Sequence, residues 1–287
     1  MTGPLRRAGR RAVRRLDSST LGNAFSSAKL WPARDAGGHA IFAKPEPGAR
    51  TAPDGLPIPP EELLLGYSAD SYLETGARDV EVMLDVLREG GGDPASVRRV
   101  LELGSGPARL TRAVPRHEGG EVWGVDISAP HIRWCQNHLS PPLRFATVTT
   151  APHLPFEDGS FDLALAGSVF THIDELAEAW LLELRRVVAP GGYVYVTVHD
   201  GHTIELLMGP RGREPAHAGL AEALRHFDRQ TGVLGRPYRQ FAFGVDPGSQ
   251  VFHDLDDLLA RWSMFLDPVA TRPEAYGYQT GVLLQKR

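Results

Sequence analysis

The chain has 287 residues, 42% of them apolar, and a formal net charge of −4. That composition suffices for a substantial core, contains no run of about 18 apolar residues that would span a bilayer, and argues against a general nucleic-acid binder. Cys135 is the single cysteine, which excludes an internal disulfide and leads us to expect a reducing, cytoplasmic setting.

In chain order, residues 1–60 read as a basic, Pro/Gly-rich extension. Arg6, Arg7, Arg10, Arg11, Arg14 and Arg15 precede a breaker-rich tract from Lys44 to Pro60. Leu5, Ala8, Ala12 and Leu16 fall at helical spacing between the arginine pairs, so the segment is either a peripheral contact with an anionic membrane or a solvated arm. Residues 61–96 read as a helical cover, in which Val80, Met83, Leu84 and Leu87 mark one helix face that stops at Gly90, Gly91 and Gly92. Tyr72 within SADSYLETG either packs or touches a ligand.

Residues 97–287 carry the chemistry. VLELGSGPARL at 100–110 predicts a strand, a turn at Gly104, Ser105 and Gly106, and the start of a helix, with Glu102 just before the turn. Such a turn brings bare backbone up to a nucleotide-like ligand. A dinucleotide fingerprint would need glycine at 109, where this chain has Arg109, so pyrophosphate is disfavoured. EVWGVDIS at 121–128 predicts a second strand ending in Asp126, whose carboxylate suits the two hydroxyls of a ribose.

LPFEDGSFDLALAGSVFTHI at 154–173 gives a polar turn, a buried strand over Phe161 to Ala166, and small residues at Gly167 and Ser168. LRRVVAPGGYVYVTVHD at 184–200 closes a helix, turns at Pro190, Gly191 and Gly192, and enters a strand. Beyond it, residues 201–250 form a substrate-side insert with a loop at 210–215, a helix at 218–227 and a turn at 244–248. A helix at 255–262 and strands near 264–269 and 279–285 complete the chain.

These segments together resemble the class I S-adenosylmethionine-dependent methyltransferases. The resemblance covers about 97–200 and implies an α/β, doubly wound Rossmann-like sheet, mostly parallel with an antiparallel last strand, under the helical cover and with the insert after the fifth strand. It also implies S-adenosyl-L-methionine as cofactor. By resemblance, Glu102, Gly104, Ser105 and Gly106 lie against its methionine end, Asp126 with Ile127 holds the ribose side, Thr150 and Ala151 stand by the adenine, and Gly167 opens the fourth strand. The chain departs from the family pattern at Ala108, where a third glycine is usual, and at Thr150, where an Asp is usual.

Methyl transfer to a hydroxyl needs alignment and a proton acceptor. His199 at the end of the fifth strand is the favoured base, with Asp200 and His202 beside it, and His172 is the second candidate. His253 with Asp254 is a third. Each has a structural alternative, in loop hydrogen bonding or helix capping. No recognised metal motif is present, so no metal is expected, although the His and Asp residues leave a divalent cation as an alternative. The expected acceptor is a small molecule or a glycan, methylated on oxygen, with a nitrogen acceptor, an NAD-dependent oxidoreductase and a silent cofactor-binding module as alternatives. Nucleic acid is not an expected partner, because no motif for gripping a flipped base follows the fourth strand.

Overall fold

The computed structural model describes residues 50–244 and 248–287, together with the backbone of two short strands before them. The arginine-rich pattern at 5–16 and the centre of the 244–248 turn lie outside the described residues. The chain divides into two compact units, residues 1–49 and 50–287. In the first, β1 (Ala33–Ala36) and β2 (His39–Phe42) form an antiparallel hairpin.

The second unit is built on a seven-stranded sheet of β3 (Arg99–Leu103), β4 (Glu121–Asp126), β5 (Arg144–Thr147), β6 (Phe161–Ala166), β7 (Val188–Val198), β10 (Asp267–Tyr276) and β11 (Gln279–Gln285). Its order is β10-β11-β7-β6-β3-β4-β5, parallel from β7 through β5, with β11 and β10 antiparallel. This is the doubly wound, mostly parallel sheet that the sequence predicts. Alternating residues feed two cores, as the two-residue side-chain period of a strand requires. Leu101, Ala164, Val194, Val196 and Val282 pack with α3 (Ala177–Val187) and α6 (Leu255–Trp262). Val100, Leu163, Leu165, Tyr195 and Leu283 pack with α1 (Ala69–Glu89) and α2 (Ala129–His138) on the other face.

The cover helix α1 starts at a capping box in which the Ser68 hydroxyl accepts from Ser71 N–H at 3.1 Å and the Ser71 hydroxyl accepts from Ser68 N–H at 2.9 Å. Val80, Met83, Val86 and Leu87 bury its apolar face. Gly76 is the point of closest approach, since a Cβ there would collide with the Arg109 carbonyl. Gly76→Ala would gain about 1 kcal/mol of helix propensity but incur overpacking of about 1–3 kcal/mol. We expect the variant to unfold at lower urea concentration than wild type, and a higher midpoint would show that the loop yields freely.

Two local expectations need correction. The segment after the glycine turn is a run of hydrogen-bonded turns over 106–113, not a regular helix, with the helical bonds Arg112 N–H to Ala108 O at 3.1 Å and Val114 N–H to Leu110 O at 3.1 Å. Ala108 interrupts it by taking φ +72°, the conformation a glycine would favour. Pro190, Gly191 and Gly192 belong to β7 itself, where a register shift absorbs the bend. Gly191 N–H bonds to Lys286 O at 2.7 Å and Lys286 N–H to Gly192 O at 2.9 Å, so pairing with the chain end keeps the segment in the sheet.

The insert after β7 folds into α4 (Gly201–Met208), a short 3-10 turn at Pro210–Arg213, α5 (Ala218–Thr231) and the antiparallel hairpin of β8 (Gln240–Phe243) and β9 (Gln250–His253). Leu206, Leu207, Ala221, Leu224 and Phe252 give it a small core of its own.

Candidate active site

The carboxyl ends of β3 and β4 lie side by side, and the backbone between them is specialised. Gly104 and Gly106 take φ +75° and +49°, and a side chain at Gly104 would collide with Val169. The Asp126 carboxylate accepts from Gly106 N–H and from Ser128 N–H, both at 2.7 Å, so the end of β4 is tied to the glycine turn. Asp126 itself remains half-buried, and Ile127 beside it is 55% exposed, an apolar surface next to a carboxylate. Ser105 is buried, and its hydroxyl has no hydrogen-bond partner among the described residues.

Glu102 lies under this turn and accepts from the Thr111 hydroxyl. Burial pushes its carboxyl up to about 7, against the Thr111 hydrogen bond and the Arg109 charge, which lower it. These features fit an S-adenosyl nucleoside. Asp126 has the chemistry for a ribose diol, Ile127 offers a platform for a base, and Glu102 offers a carboxylate to an ammonium. Thr150 and Ala151 are exposed in the loop after β5, and Gly167 is half-buried at the end of β6.

Three features of the site escaped the sequence reading. Arg109, read there as a missing glycine, is 7% exposed and donates to Asp79 at 2.8 Å, to Thr75 at 3.1 Å and to the Tyr276 hydroxyl. Its guanidinium also lies over the rings of Tyr67 and Tyr276, 5.1 and 5.0 Å from their centroids. It therefore joins the glycine turn to the cover helix and the last hairpin. The available signal was Gly76 and Asp79 on the otherwise apolar buried face of the cover helix, with Thr75 beside them. The second feature is Leu65, whose side chain lies 3.2 Å from where a Cβ on Gly106 would stand. Tyr278 is the third. Tyr72 resolves as a packing residue: it is fully buried and donates to the Pro107 carbonyl at 2.7 Å.

Of the candidate catalytic residues, His199 follows β7 at the same sheet edge. It is 1% exposed and lies close to the Val251 backbone, among the described residues neither ring nitrogen closes a hydrogen bond of normal geometry, and its ring packs against Phe252 at 4.7 Å and Tyr278 at 5.6 Å. Burial pulls its pKa down to about 3, and neighbouring His172 and His253 lower it further. His172 lies close by, with Nδ1 at 2.6 Å from the Ser249 carbonyl. Asp200 is turned to other work. It caps α4 by accepting from Thr203 N–H at 3.0 Å, and its second oxygen accepts from the Thr280 hydroxyl at 2.8 Å. His202 pairs with Glu274 at 3.1 Å, and His253 is fully buried close to the Phe170 backbone, its ring nitrogens closing no normal hydrogen bond among the described residues. Among the described residues no group of three or more His, Cys, Asp or Glu is placed to hold a metal ion, and no helix is long and apolar enough to cross a membrane.

Residues 101–196 match a family profile described as a methyltransferase domain. The chain is 32% identical over 140 residues to a malonyl-[acyl-carrier protein] O-methyltransferase of Geobacter sulfurreducens, covering 48% of this chain and 51% of that protein. It is also 32% identical over 161 residues to a ubiquinone/menaquinone biosynthesis C-methyltransferase of Cupriavidus necator, covering 47% of this chain and 63% of that one. The chain thus spans between about half and just under two thirds of these relatives. In fold it is similar to the PH0226 protein of Pyrococcus horikoshii, with a TM-score of 0.51 at 18% identity over 80% of this chain and 100% of that one. Together with the glycine turn, the tied Asp126 and the strand order, these matches show that residues 101–196 form a methyltransferase domain of the class I S-adenosylmethionine-dependent type, whose cofactor is S-adenosylmethionine.

Proposed function

We propose that the protein transfers a methyl group from S-adenosylmethionine to a hydroxyl oxygen of a small-molecule acceptor. The observation that carries this reading is the shared sheet edge. The Asp126-bonded glycine turn and an uncharged imidazole at His199, which closes no normal hydrogen bond among the described residues, both stand at the carboxyl ends of the parallel strands.

When bound, the cofactor supplies an electrophilic methyl carbon on a positively charged sulfur. Asp126 would accept from the ribose hydroxyls, Glu102 would hold the ammonium of the methionyl end, and the glycines would admit the ligand to backbone contact. Ile127, Thr150, Ala151 and Gly167 would line the remaining surface. His199 would accept the proton that the acceptor hydroxyl gives up. Burial keeps the imidazole uncharged, so its lone pair is available throughout the neutral range. A low proton affinity is adequate here, because a hydroxyl oxygen gaining a methyl group becomes far more acidic than an imidazolium. His172 would support it from the loop after β6, and Asp200 would fix the strand end through its cap.

The test is calorimetric titration with S-adenosylhomocysteine. Two charge-assisted hydrogen bonds to a ribose contribute about 2–3 kcal/mol, so Asp126→Ala is expected to weaken binding about 30- to 150-fold. Undiminished affinity would remove the ribose assignment and the site with it.

A further inference from the structure

The chain just after β6 takes a conformation that its sequence does not favour. Ser168 has φ +56°, in the left-handed region that a residue with a side chain occupies only when its surroundings hold it there. A ring of hydrogen bonds supplies the hold. Ser168 N–H donates to the Thr197 hydroxyl at 2.7 Å, and that hydroxyl donates to the side-chain oxygen of Gln279 at 2.6 Å. The Gln279 amide donates to the Ser168 hydroxyl at 2.8 Å and closes the ring, and the Ser168 and Thr171 hydroxyls meet at 3.2 Å. Thr197 and Thr171 are fully buried and Gln279 is 4% exposed, so water competes little for these bonds.

Gln279 opens β11, which is separated from β6 by β7, and its side chain reaches Ser168 across Thr197. A glutamine suits the position because one side chain carries both an acceptor for the threonine and a donor for the serine. The residue that follows Ser168 is where the ring meets the site. Val169 packs on the glycine turn so closely that a Cβ on Gly104 would collide with it. The Asp126 end of the site is set by bonds of its own, from Gly106 N–H and Ser128 N–H.

We propose that Gln279 is a positioning residue of the cofactor site. By holding Ser168 in the left-handed conformation it seats Val169 on Gly104, and so fixes the turn at which the methionyl end of the cofactor binds, with no part in holding the ribose. The inference rests on the placement of the cofactor given above and adds the group that keeps one end of its site in shape. Without the two polar atoms of Gln279, Ser168 relaxes to the backbone regions open to any residue and carries Val169 off the turn. Glycine enters the left-handed region unaided, so at position 168 it removes the need for the ring.

The experiment is calorimetric titration of the full chain with two ligands. S-adenosylhomocysteine spans both ends of the site, whereas 5′-methylthioadenosine keeps the nucleoside and lacks the amino-acid portion. Gln279→Leu should weaken S-adenosylhomocysteine about tenfold and methylthioadenosine less than about twofold. Adding Ser168→Gly should return most of the lost affinity, although it restores none of the bonds. A general loosening of the fold would weaken both ligands together and would not be rescued by that second change. Gln279→Asn, too short to close the ring, should give the same split where the leucine variant unfolds. Equal loss for the two ligands, no loss for either, or a loss that Ser168→Gly leaves in place would overturn the assignment while the cofactor reading stands. Wild-type protein that binds neither ligand would overturn the cofactor reading and this inference with it.

Discussion

His199→Phe is expected to make the protein more stable and less active. Phenylalanine preserves the ring that packs on Phe252 and Tyr278 but removes two buried nitrogens that close no normal hydrogen bond among the described residues. Each unsatisfied buried polar group costs about 1–3 kcal/mol, so relief at this position should contribute at least about 1 kcal/mol, a rise of about 2 °C or more in Tm. Loss of a positioned proton acceptor should lower methyl transfer to a hydroxyl by about 10² to 10⁴. Denaturant titration together with transfer of labelled methyl to a small-molecule hydroxyl checks both halves. A variant that loses stability and keeps its rate would mean that the imidazole is paired, through an ordered water for example, and is not the proton acceptor. The opposing signs separate a functional role from a structural one, because a residue kept for packing would not be stabilised by its own removal.

The same contrast explains which parts of the site were legible in sequence. The glycine turn, Asp126 and the β6 strand were legible because local chemistry decides them: a positive φ requires glycine, and a continuous apolar run requires burial on both faces. Helix α6 and strand β11 were legible from periodicity and breakers for the same reason. The turns after Gly106 were not. Ala108 adopts the backbone conformation of the glycine that it replaces, and Arg109 is drawn to Asp79, thirty positions earlier. Such tertiary demands override local helix preference. Pro190 to Gly192 signal a turn locally, yet pairing with Lys286 holds them in a strand. The positions of Tyr278 and Tyr67 depend on contacts across the whole fold, and no short window of sequence contains them. Asp200 was legible as a polar neighbour of His199, but its commitment to Thr203 and Thr280 depends on which way one side chain turns.

Acid should weaken the fold less in the wild type than in Glu102→Gln. His199 and His253 have pKa values pulled down by burial to about 3 and about 4, with the charge of His172 lowering His199 further and Asp200 and Asp257 partly restoring His253. Both groups bind protons more weakly in the folded state than in the unfolded one, where an imidazole titrates near 6.5. Stability is therefore full above 6.5 and falls as pH drops toward the folded values, by about 2 kcal/mol for each group at pH 5. Glu102 works in the opposite direction. Its folded pKa of about 7 lies above the unfolded value, so the folded state takes up the proton first and gains about 2–3 kcal/mol between pH 8 and pH 5. The three groups together should leave the wild type only about 1–2 kcal/mol weaker at pH 5. Glu102→Gln has no such gain. It should begin more stable at pH 8, where the wild type carries a buried charge, lose about 4 kcal/mol by pH 5, and converge there on the wild-type curve. Urea titrations followed by tryptophan fluorescence at the two pH values decide the matter, and parallel curves would show that Glu102 is not held protonated in the fold. The cost of that charge at pH 8 also bears on function, since a cationic ligand offsets it. S-adenosylhomocysteine, through its ammonium, should bind the wild type more tightly as pH rises through about 7 and should bind Glu102→Gln with little dependence on pH in that range.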